Sequence, residues 1–239
     1  MSELVKTDVD AFGALTPVGG AGTTVGHLLY YGSRLPSERQ EALKDAGIKK
    51  GEFFYQDFEP CHLPRPVVSL TPLVIQGSIK TDNAGKILDF RSEPAVKGDG
   101  YRDYWWGIVF VHRPGSKPSP AQFELKGAQT SEIVKPGGKV RQALSAAHDH
   151  DGWVKRSSRH ATGAATKRPH NRVVFSLTGG EEKSADGNTY YTLSALPIPS
   201  TAEQVTELDA AATPELGEVL IKIHNSKLAR LQNPSKDSE

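Results

Sequence analysis

The segment "DYWWGIVFVH", at residues 103–112, constrains the fold more than any other part of the sequence. Its β-branched and aromatic residues predict a β-strand, in which alternate side chains point to opposite faces of a sheet. One face then carries Tyr104, Trp106, Ile108 and Phe110, which are all large. We expect this face to fill the interior of a barrel, with Trp106 and Phe110 in the core.

The opposite face of the same strand is mixed, because Asp103 and Gly107 flank the indole of Trp105. An aromatic ring at the surface can serve as a stacking platform for a nucleobase. We therefore predict that Trp105 and Tyr101 form such a platform. For Trp105, the alternative is that the N-terminal arm covers it.

Further segments with the composition of strands lie on both sides of this one. Pro72 lies inside the first of them and predicts an edge strand or a bulge, since proline donates no hydrogen bond to a neighbouring strand. The sequence "TDNAGK" predicts a turn that joins the first two segments in a hairpin. Residues 121–127 are a candidate for a short extra strand. The four principal segments are residues 65–80, 86–92, 171–180 and 188–198.

A short helix is predicted at residues 137–150, where Val140, Leu144 and Ala147 share one helical face. The chain order is then three strands, this helix and two more strands. That order matches the oligonucleotide/oligosaccharide-binding (OB) fold, a five-stranded Greek-key barrel, with the helix between strands 3 and 4. The sequence thus predicts a mainly β protein built on an OB-like barrel. An irregular β-sandwich with a decorating helix is the alternative.

The barrel prediction divides the chain into three parts. Residues 1–64 form an N-terminal extension with a short helix at 37–48 and an aromatic arm after it, and residues 65–200 form the barrel. Residues 201–239 form a C-terminal helical tail, whose apolar stripe either packs on the barrel or binds a partner. That stripe consists of Leu216, Val219, Leu220, Ile223, Leu228 and Leu231.

The net charge of +1 hides a strongly uneven distribution. Residues 152–180 contain no acid, whereas five acids between Glu203 and Glu218 precede the next base, Lys222. We expect residues 152–172 to form a basic loop that contacts phosphates, with Trp153 as a further stacking ring. A solvated loop without a ligand is the alternative. The predicted phosphate contacts are Lys155, Arg156, Arg159, Lys167, Arg168 and Arg172.

Other chemistry has weaker support in the sequence. The single cysteine, Cys61, excludes an internal disulfide and a zinc site with several cysteines. The stretch His148–Asp151 offers four metal ligands and supports an alternative interpretation as a metal-dependent nuclease or phosphoesterase. The common catalytic motifs are missing from the sequence.

The start of the sequence lacks the apolar run of a signal peptide, and no stretch reaches the ~18 apolar residues of a membrane span. We therefore expect a cytoplasmic protein without a membrane partner.

The layout resembles that of the single-stranded DNA-binding proteins of phages and related mobile elements. The likeness rests on the aromatic strand, the helix "GGKVRQAL", and "RPHNRVVFSL" leading into "TYYTLSALPIPS". It implies sequence-tolerant binding of single-stranded DNA during replication, recombination or repair. It also implies that the protein has no catalytic residues and needs no cofactor, so we expect a protein that is not an enzyme. It also implies contacts with replication or recombination proteins through the C-terminal region, although the last residues, "NPSKDSE", are only mildly acidic.

Single-stranded DNA binding is therefore the function that the sequence predicts. A non-catalytic structural or adaptor protein of a phage or plasmid is an alternative beside the metal-dependent enzyme. The preference for DNA over RNA and the formation of a homo-oligomer stay open at this point.

Overall fold

The computed structural model describes residues 25–32, 37–55, 65–83, 85–113, 115–135, 137–148 and 171–234. The strands are β1 (Gly26–Tyr30), β2 (Phe53–Tyr55), β3 (Val67–Thr81), β4 (Ile87–Arg91), β5 (Arg102–Arg113), β6 (Ser116–Lys126), β7 (Val174–Lys183) and β8 (Thr189–Ile198). The α-helices are α1 (Ser37–Asp45), α2 (Ser131–Val134), α3 (Lys139–His148), α4 (Ala202–Ala211) and α5 (Pro214–Gln232), and a 3-10 turn at Gly127–Thr130 precedes α2.

The strands form one mixed sheet in the order β2-β1-β6-β5-β3-β7-β8, with β4 beside β3. The β1–β6 pair is parallel and the other pairs are antiparallel. The sheet curls into a half-barrel, so that its two ends approach each other. Tyr30 donates its hydroxyl hydrogen to the carbonyl of Thr192 at 2.7 Å. A Cβ atom on Gly179 would lie 2.0 Å from the carbonyl oxygen of Gly51, so this approach requires glycine.

Strand β3 is the centre of the sheet. One of its edges pairs with β5 from Val67 to Ile79, and the other edge is shared by β7 at Val67–Ser69 and β4 at Ser78–Thr81. The register with β5 shifts between Leu70 and Val74, around Pro72. The bulge predicted from Pro72 is therefore confirmed, and so is the β3–β4 hairpin.

Between β7 and β4, no strand of the described residues lies beside this edge of β3, and other groups bond two of its carbonyls. The backbone N–H of Asn171 donates to Leu70 O at 2.6 Å, and His224 Nε2 donates to Val74 O at 3.3 Å. Because buried backbone groups without partners are costly, these two residues replace the missing strand.

The coarse prediction of a mainly β protein with C-terminal helices is confirmed, but the five-stranded Greek-key barrel is not. The described sheet has eight strands, because β1, β2 and β6 join the five that the sequence predicted. In a Greek key the fourth strand lies beside the first and the third beside the second. Here β7 does lie beside β3, but β5 pairs with β3 and not with β4. Helix α3 follows β6, which is a full strand of the sheet.

The two faces of β5 are both buried, each in its own apolar cluster. The inner face, which includes Trp105 and Val109, packs with Val140 and Leu144 of α3 and with Phe53 of the N-terminal arm. The outer face packs with α4 and α5. The members of β5 on that outer face are Tyr104, Trp106, Ile108 and Phe110. The predicted division of the two tryptophans between opposite faces is confirmed, but the face of Trp105 is the one inside the half-barrel.

The prediction of a surface position for Trp105 is wrong, because its side chain is 0% exposed. Its six-membered ring lies over Gly107, where a Cβ atom would approach Cη2 to 2.6 Å. Phe123 of β6 meets the indole edge-on at a centroid distance of 6.2 Å, and Phe53 lies in the same cluster. The N-terminal arm thus contributes Phe53 to the cluster around Trp105, together with residues of β6 and α3.

The apolar stripe of the C-terminal helices packs on the outer face of the sheet. Leu220 and Leu231 are buried there, and the ring of His224 lies 6.0 Å from that of Trp106. Thr201 and Thr213 cap the two helices, each accepting a hydrogen bond from a backbone N–H in the first turn. Of the two alternatives for this stripe, the described residues therefore show packing on the sheet.

Within the described residues, no helix has both the length and the apolar composition that crossing a membrane requires.

An ion cluster also attaches α5 to the sheet. Glu124 of β6 lies 2.7 Å from Lys126 Nζ and 3.1 Å from Lys227 Nζ, and it accepts a hydrogen bond from the Tyr104 hydroxyl at 3.2 Å. Burial raises the pKa of Glu124, but the two lysines together lower it more, so this pKa lies well below its usual range. The carboxylate thus stays ionised and links β5, β6 and α5.

Because both indoles are buried, Trp105→Ala and Trp106→Ala should each destabilise the protein by about 3–5 kcal/mol. Urea unfolding followed by circular dichroism measures this loss. The matched variants Trp105→Phe and Trp106→Phe retain a ring and should lose less. A Trp105→Ala variant as stable as the wild type would contradict the burial of this residue.

Glu124→Gln should lower the free energy of unfolding by about 1–3 kcal/mol at neutral pH, since hydrogen bonds to a charged group are lost. The folded pKa of Glu124 is depressed, so its contribution is present above the unfolded value of about 4.3 and is lost as the pH falls below that value. In urea unfolding, the difference from wild type should therefore stay constant between about pH 7 and about pH 5 and narrow as the pH falls from about 5 to about 3. Glu218→Gln, at an exposed position on α5, is the control and should change stability by less than about 0.5 kcal/mol. A difference that grows on acidification would exclude this role for the carboxylate.

Candidate nucleic-acid interface

The structure describes three of the contacts that the sequence predicted, namely Tyr101, Trp105 and Arg172. Trp105 is enclosed in the core and offers no ring face to a ligand. The remaining predicted contacts lie outside the described residues, as does the side chain of His148 with the rest of the His148–Asp151 cluster. Those contacts are Trp153, Lys155, Arg156, Arg159, Lys167 and Arg168.

Arg172 stands where the acid-free segment meets β7, and its side chain is exposed. Its Nη2 donates to Asp209 Oδ2 of α4 at 2.7 Å. An exposed pair of this kind contributes about 0–1 kcal/mol to stability, so a phosphate can compete for the arginine. In this structure, however, the positive charge of Arg172 is balanced by Asp209.

Tyr101 lies at the rim of the half-barrel, just before β5, and is partly exposed. The guanidinium of Arg91 covers one face of its ring, with Cζ 3.7 Å from the ring centroid. The Tyr101 hydroxyl donates to Asp89 Oδ2, and Arg91 Nε lies 3.9 Å from the same oxygen. One carboxylate thus contacts both members of the stacked pair.

The β4 strand places Asp89 and Arg91 on one face, because alternate residues of a strand face the same side. Ser78 of β3 pairs with Arg91 on one edge and with Asp103 of β5 on the other. This register brings the inner face of β4 beside the start of β5, where Tyr101 lies.

The loop between β4 and β5 holds the backbone of Tyr101. Asp99 Oδ1 accepts the Tyr101 N–H at 2.8 Å, and Asp99 Oδ2 accepts the Val96 N–H at 3.2 Å. Asp103 Oδ1 accepts the N–H of Ala95 at 3.0 Å, which ties the loop to β5. Gly100, immediately before Tyr101, has a φ of +78°, a conformation that favours glycine. Tyr101 is therefore held at its backbone and at its hydroxyl.

The hydrogen bond between Tyr101 and Asp89 shifts the pKa of both groups. It is the largest cause of the raised pKa of Tyr101, because the carboxylate stabilises the neutral phenol. It is also the largest cause of the lowered pKa of Asp89, with Arg91 and Lys80 acting in the same direction. At neutral pH the site therefore contains an uncharged phenol beside an ionised carboxylate.

The surface around Tyr101 carries both signs of charge. The bases are Lys80, Arg91, Lys97 and Arg102, and the acids are Asp89, Glu93, Asp99 and Asp103. The formal charges around Tyr101 therefore balance.

Sequence reasoning identified Tyr101 but missed Asp89 and Arg91. The signal was the pattern "LDFR", which puts an acid and a base two residues apart on one face of a predicted strand. The pattern does not indicate that Asp89 and Arg91 contact Tyr101, because that contact depends on the β3–β4–β5 register. Among the described residues, no group of three or more His, Cys, Asp or Glu side chains could hold a metal ion.

Asp89→Ala should lower the pKa of Tyr101, since the variant removes the acceptor that stabilises the neutral phenol. A pH titration by NMR of tyrosine-labelled protein measures this change. Tyr190, whose hydroxyl donates to Glu182 at 2.7 Å, is an internal control whose pKa should stay the same in Asp89→Ala. An unchanged Tyr101 pKa in the variant would rule out the hydrogen bond.

Comparison with known proteins found no match. No protein-family model matches the chain, and neither the curated proteins nor the solved structures include a similar one.

Proposed function

We propose that this protein binds single-stranded DNA with little dependence on sequence. Tyr101 is the stacking platform in this proposal, and the basic segment at residues 152–172 contacts the phosphates. The observation that carries the proposal is Tyr101 at the rim of the half-barrel. Its backbone N–H donates to Asp99, its hydroxyl donates to Asp89, and its ring stacks with Arg91. Participation in replication, recombination or repair is the cellular role that fits this activity.

Stacking on an aromatic ring suits a protein that does not read sequence, because every base has a flat face. Each stacked base contributes roughly 1–3 kcal/mol. A ring that is already fixed loses little conformational entropy when the ligand binds, so more of the stacking energy appears as affinity. Tyr101 meets this condition through its hydrogen bonds to Asp89 and Asp99.

The structure changes the list of contacts that the proposal uses. Trp105 is removed, and Arg91 is added beside Tyr101. Arg172 contributes to phosphate binding only if it exchanges Asp209 for a phosphate. In the sequence interpretation, DNA binds to the face of an OB-like barrel. In the present proposal, it binds at the rim of the curled sheet. The proposal assigns no catalytic residue and uses no cofactor.

The proposal also locates contacts with replication or recombination proteins on the C-terminal helices. Because the apolar stripe of α5 packs on the sheet, such a partner would meet the polar outer face of these helices, which includes Glu215 and Glu218.

Tyr101→Ala should weaken binding to an oligo(dT) of about 30 nucleotides by roughly 5- to 150-fold, the loss expected for one stacked base. The charges around Tyr101 balance, so the slope of log affinity against log salt should not change. Replacing Lys155, Arg156 and Arg159 by alanine should reduce the magnitude of that slope by about 0.7 for each lost phosphate contact. Anisotropy of a labelled oligonucleotide at two salt concentrations measures both effects.

Tyr190→Ala is the matched control, since Tyr190 is also an exposed tyrosine bound to a carboxylate, Glu182, and should leave affinity unchanged. Intrinsic tryptophan emission is a poor readout, because Trp105 and Trp106 are buried and only Trp153 could respond to stacking. The absence of any binding at low salt would refute the proposal.

A further inference from the structure

We infer that Arg91 and Tyr101 form a clamp that takes one unpaired nucleobase between the guanidinium and the phenol ring, with Asp89 as a positioning residue. This inference rests on the proposed function and specifies how its stacking site works.

The clamp is closed in this structure. The guanidinium carbon of Arg91 lies 3.7 Å from the centre of the Tyr101 ring, which is van der Waals contact and leaves no space for a base. A ligand that uses this face must therefore separate the two groups. The Arg91 side chain is 50% exposed and can move outward without disturbing the core.

The two members of the clamp differ in mobility. Tyr101 is fixed by the Asp99 carboxylate at its N–H and by Asp89 at its hydroxyl. Among the described residues, Arg91 contacts the ring by stacking, and its Nε lies 3.9 Å from Asp89 Oδ2. The phenol ring is thus a fixed stacking surface, and the guanidinium is a mobile one.

Insertion of a base replaces one stacking contact by two. The Arg91–Tyr101 contact is lost, while the base gains the phenol on one face and the guanidinium on the other. Arginine suits the second role because its guanidinium is planar and stacks on aromatic rings.

The chemistry of the surroundings selects a base and not a phosphate. Asp89 and Asp99 bond Tyr101 directly and offset the charge of the nearby bases, so a phosphate at the ring gains no net attraction and meets the repulsion of these two carboxylates. A neutral planar ring meets no such repulsion. A base in a duplex is already stacked on both faces, so the clamp fits an unpaired base.

The alternative is that Arg91 merely covers the ring and competes with the ligand. The two interpretations predict opposite signs for Arg91→Ala. If the two residues form a clamp, Arg91→Ala removes one of its two stacking surfaces, so affinity for oligo(dT) should fall by roughly fivefold or more. A cover would leave the ring open, so affinity would rise or stay the same. Either of those results overturns the inference.

Arg91→Lys separates stacking from charge, since lysine keeps the charge and loses the plane. It should recover less than half of the lost binding free energy, and full recovery would overturn the clamp. The Arg91→Ala/Tyr101→Ala double variant should lose less affinity than the product of the two single losses, because both residues act on the same base.

Asp89→Ala should weaken binding to oligo(dT). Asp89→Asn, which retains an acceptor oxygen, should weaken it less.

The decisive experiment compares oligo(dT) with an abasic oligomer of the same length by anisotropy on the full chain. Arg91→Ala should weaken binding to oligo(dT) and leave binding to the abasic oligomer unchanged. An equal loss on both would make Arg91 a phosphate contact, which overturns the clamp but leaves the proposed function intact. Absence of binding to either oligomer by the wild type would instead refute the proposed function.

Arg102→Ala is the matched control, because Arg102 is an exposed base next to Tyr101 in the chain whose side chain points to the other face of β5. It should affect the two oligomers equally. Urea midpoints for all variants establish that they are folded before affinities are compared.

Discussion

Apolar burial on both faces of β5 is the constraint from which the rest of the structure follows. Trp105 lies over Gly107 on the inner face, and Trp106 lies against His224 on the outer face. A strand that is apolar on both sides needs two layers of cover. The curled sheet, α3 and the N-terminal arm provide one layer, and α4 and α5 provide the other. The Glu124 cluster and the hydrogen bond from His224 to β3 then attach the second layer at defined points.

The candidate site lies where this double burial ends. Moving outward along the inner face of β5, the side chains change from the buried Trp105 to the half-buried Asp103 and then to Tyr101 at the rim. Aromatic residues continue past the limit of the core, while the neighbouring positions on β4 are charged. Tyr101 therefore lies outside the core, and hydrogen bonds to Asp89 and Asp99 hold it in place. Rigidity and partial exposure together distinguish Tyr101 from the two buried tryptophans.

Much of the local structure could be predicted. The strand segments, the β3–β4 hairpin, the bulge at Pro72, helix α3 and the two C-terminal helices all follow from periodicity and turn chemistry. Strand β6 was underestimated, since Pro118 and Pro120 weaken its pattern, although it pairs with β5 along most of its length. The parallel β1–β6 pair joins segments about ninety residues apart, and no local pattern encodes it. Asp89 and Arg91 were missed for the same reason, because their meeting with Tyr101 depends on sheet register.

The sequence by itself determined that Trp105 and Trp106 point to opposite faces, since that depends only on the alternation of side chains along a strand. It also determined five of the eight strand segments and where the C-terminal helices begin, because side-chain periodicity, capping and proline effects act within a few residues. The expected core position of Trp106 is confirmed, but only the tertiary structure decided that Trp105 is buried too and which elements cover the two indoles. That outcome depends on α5, more than a hundred residues further along the chain, and on Phe53, about fifty residues before. Burial is a property of what packs against a face, and strand periodicity contains no information about such distant partners.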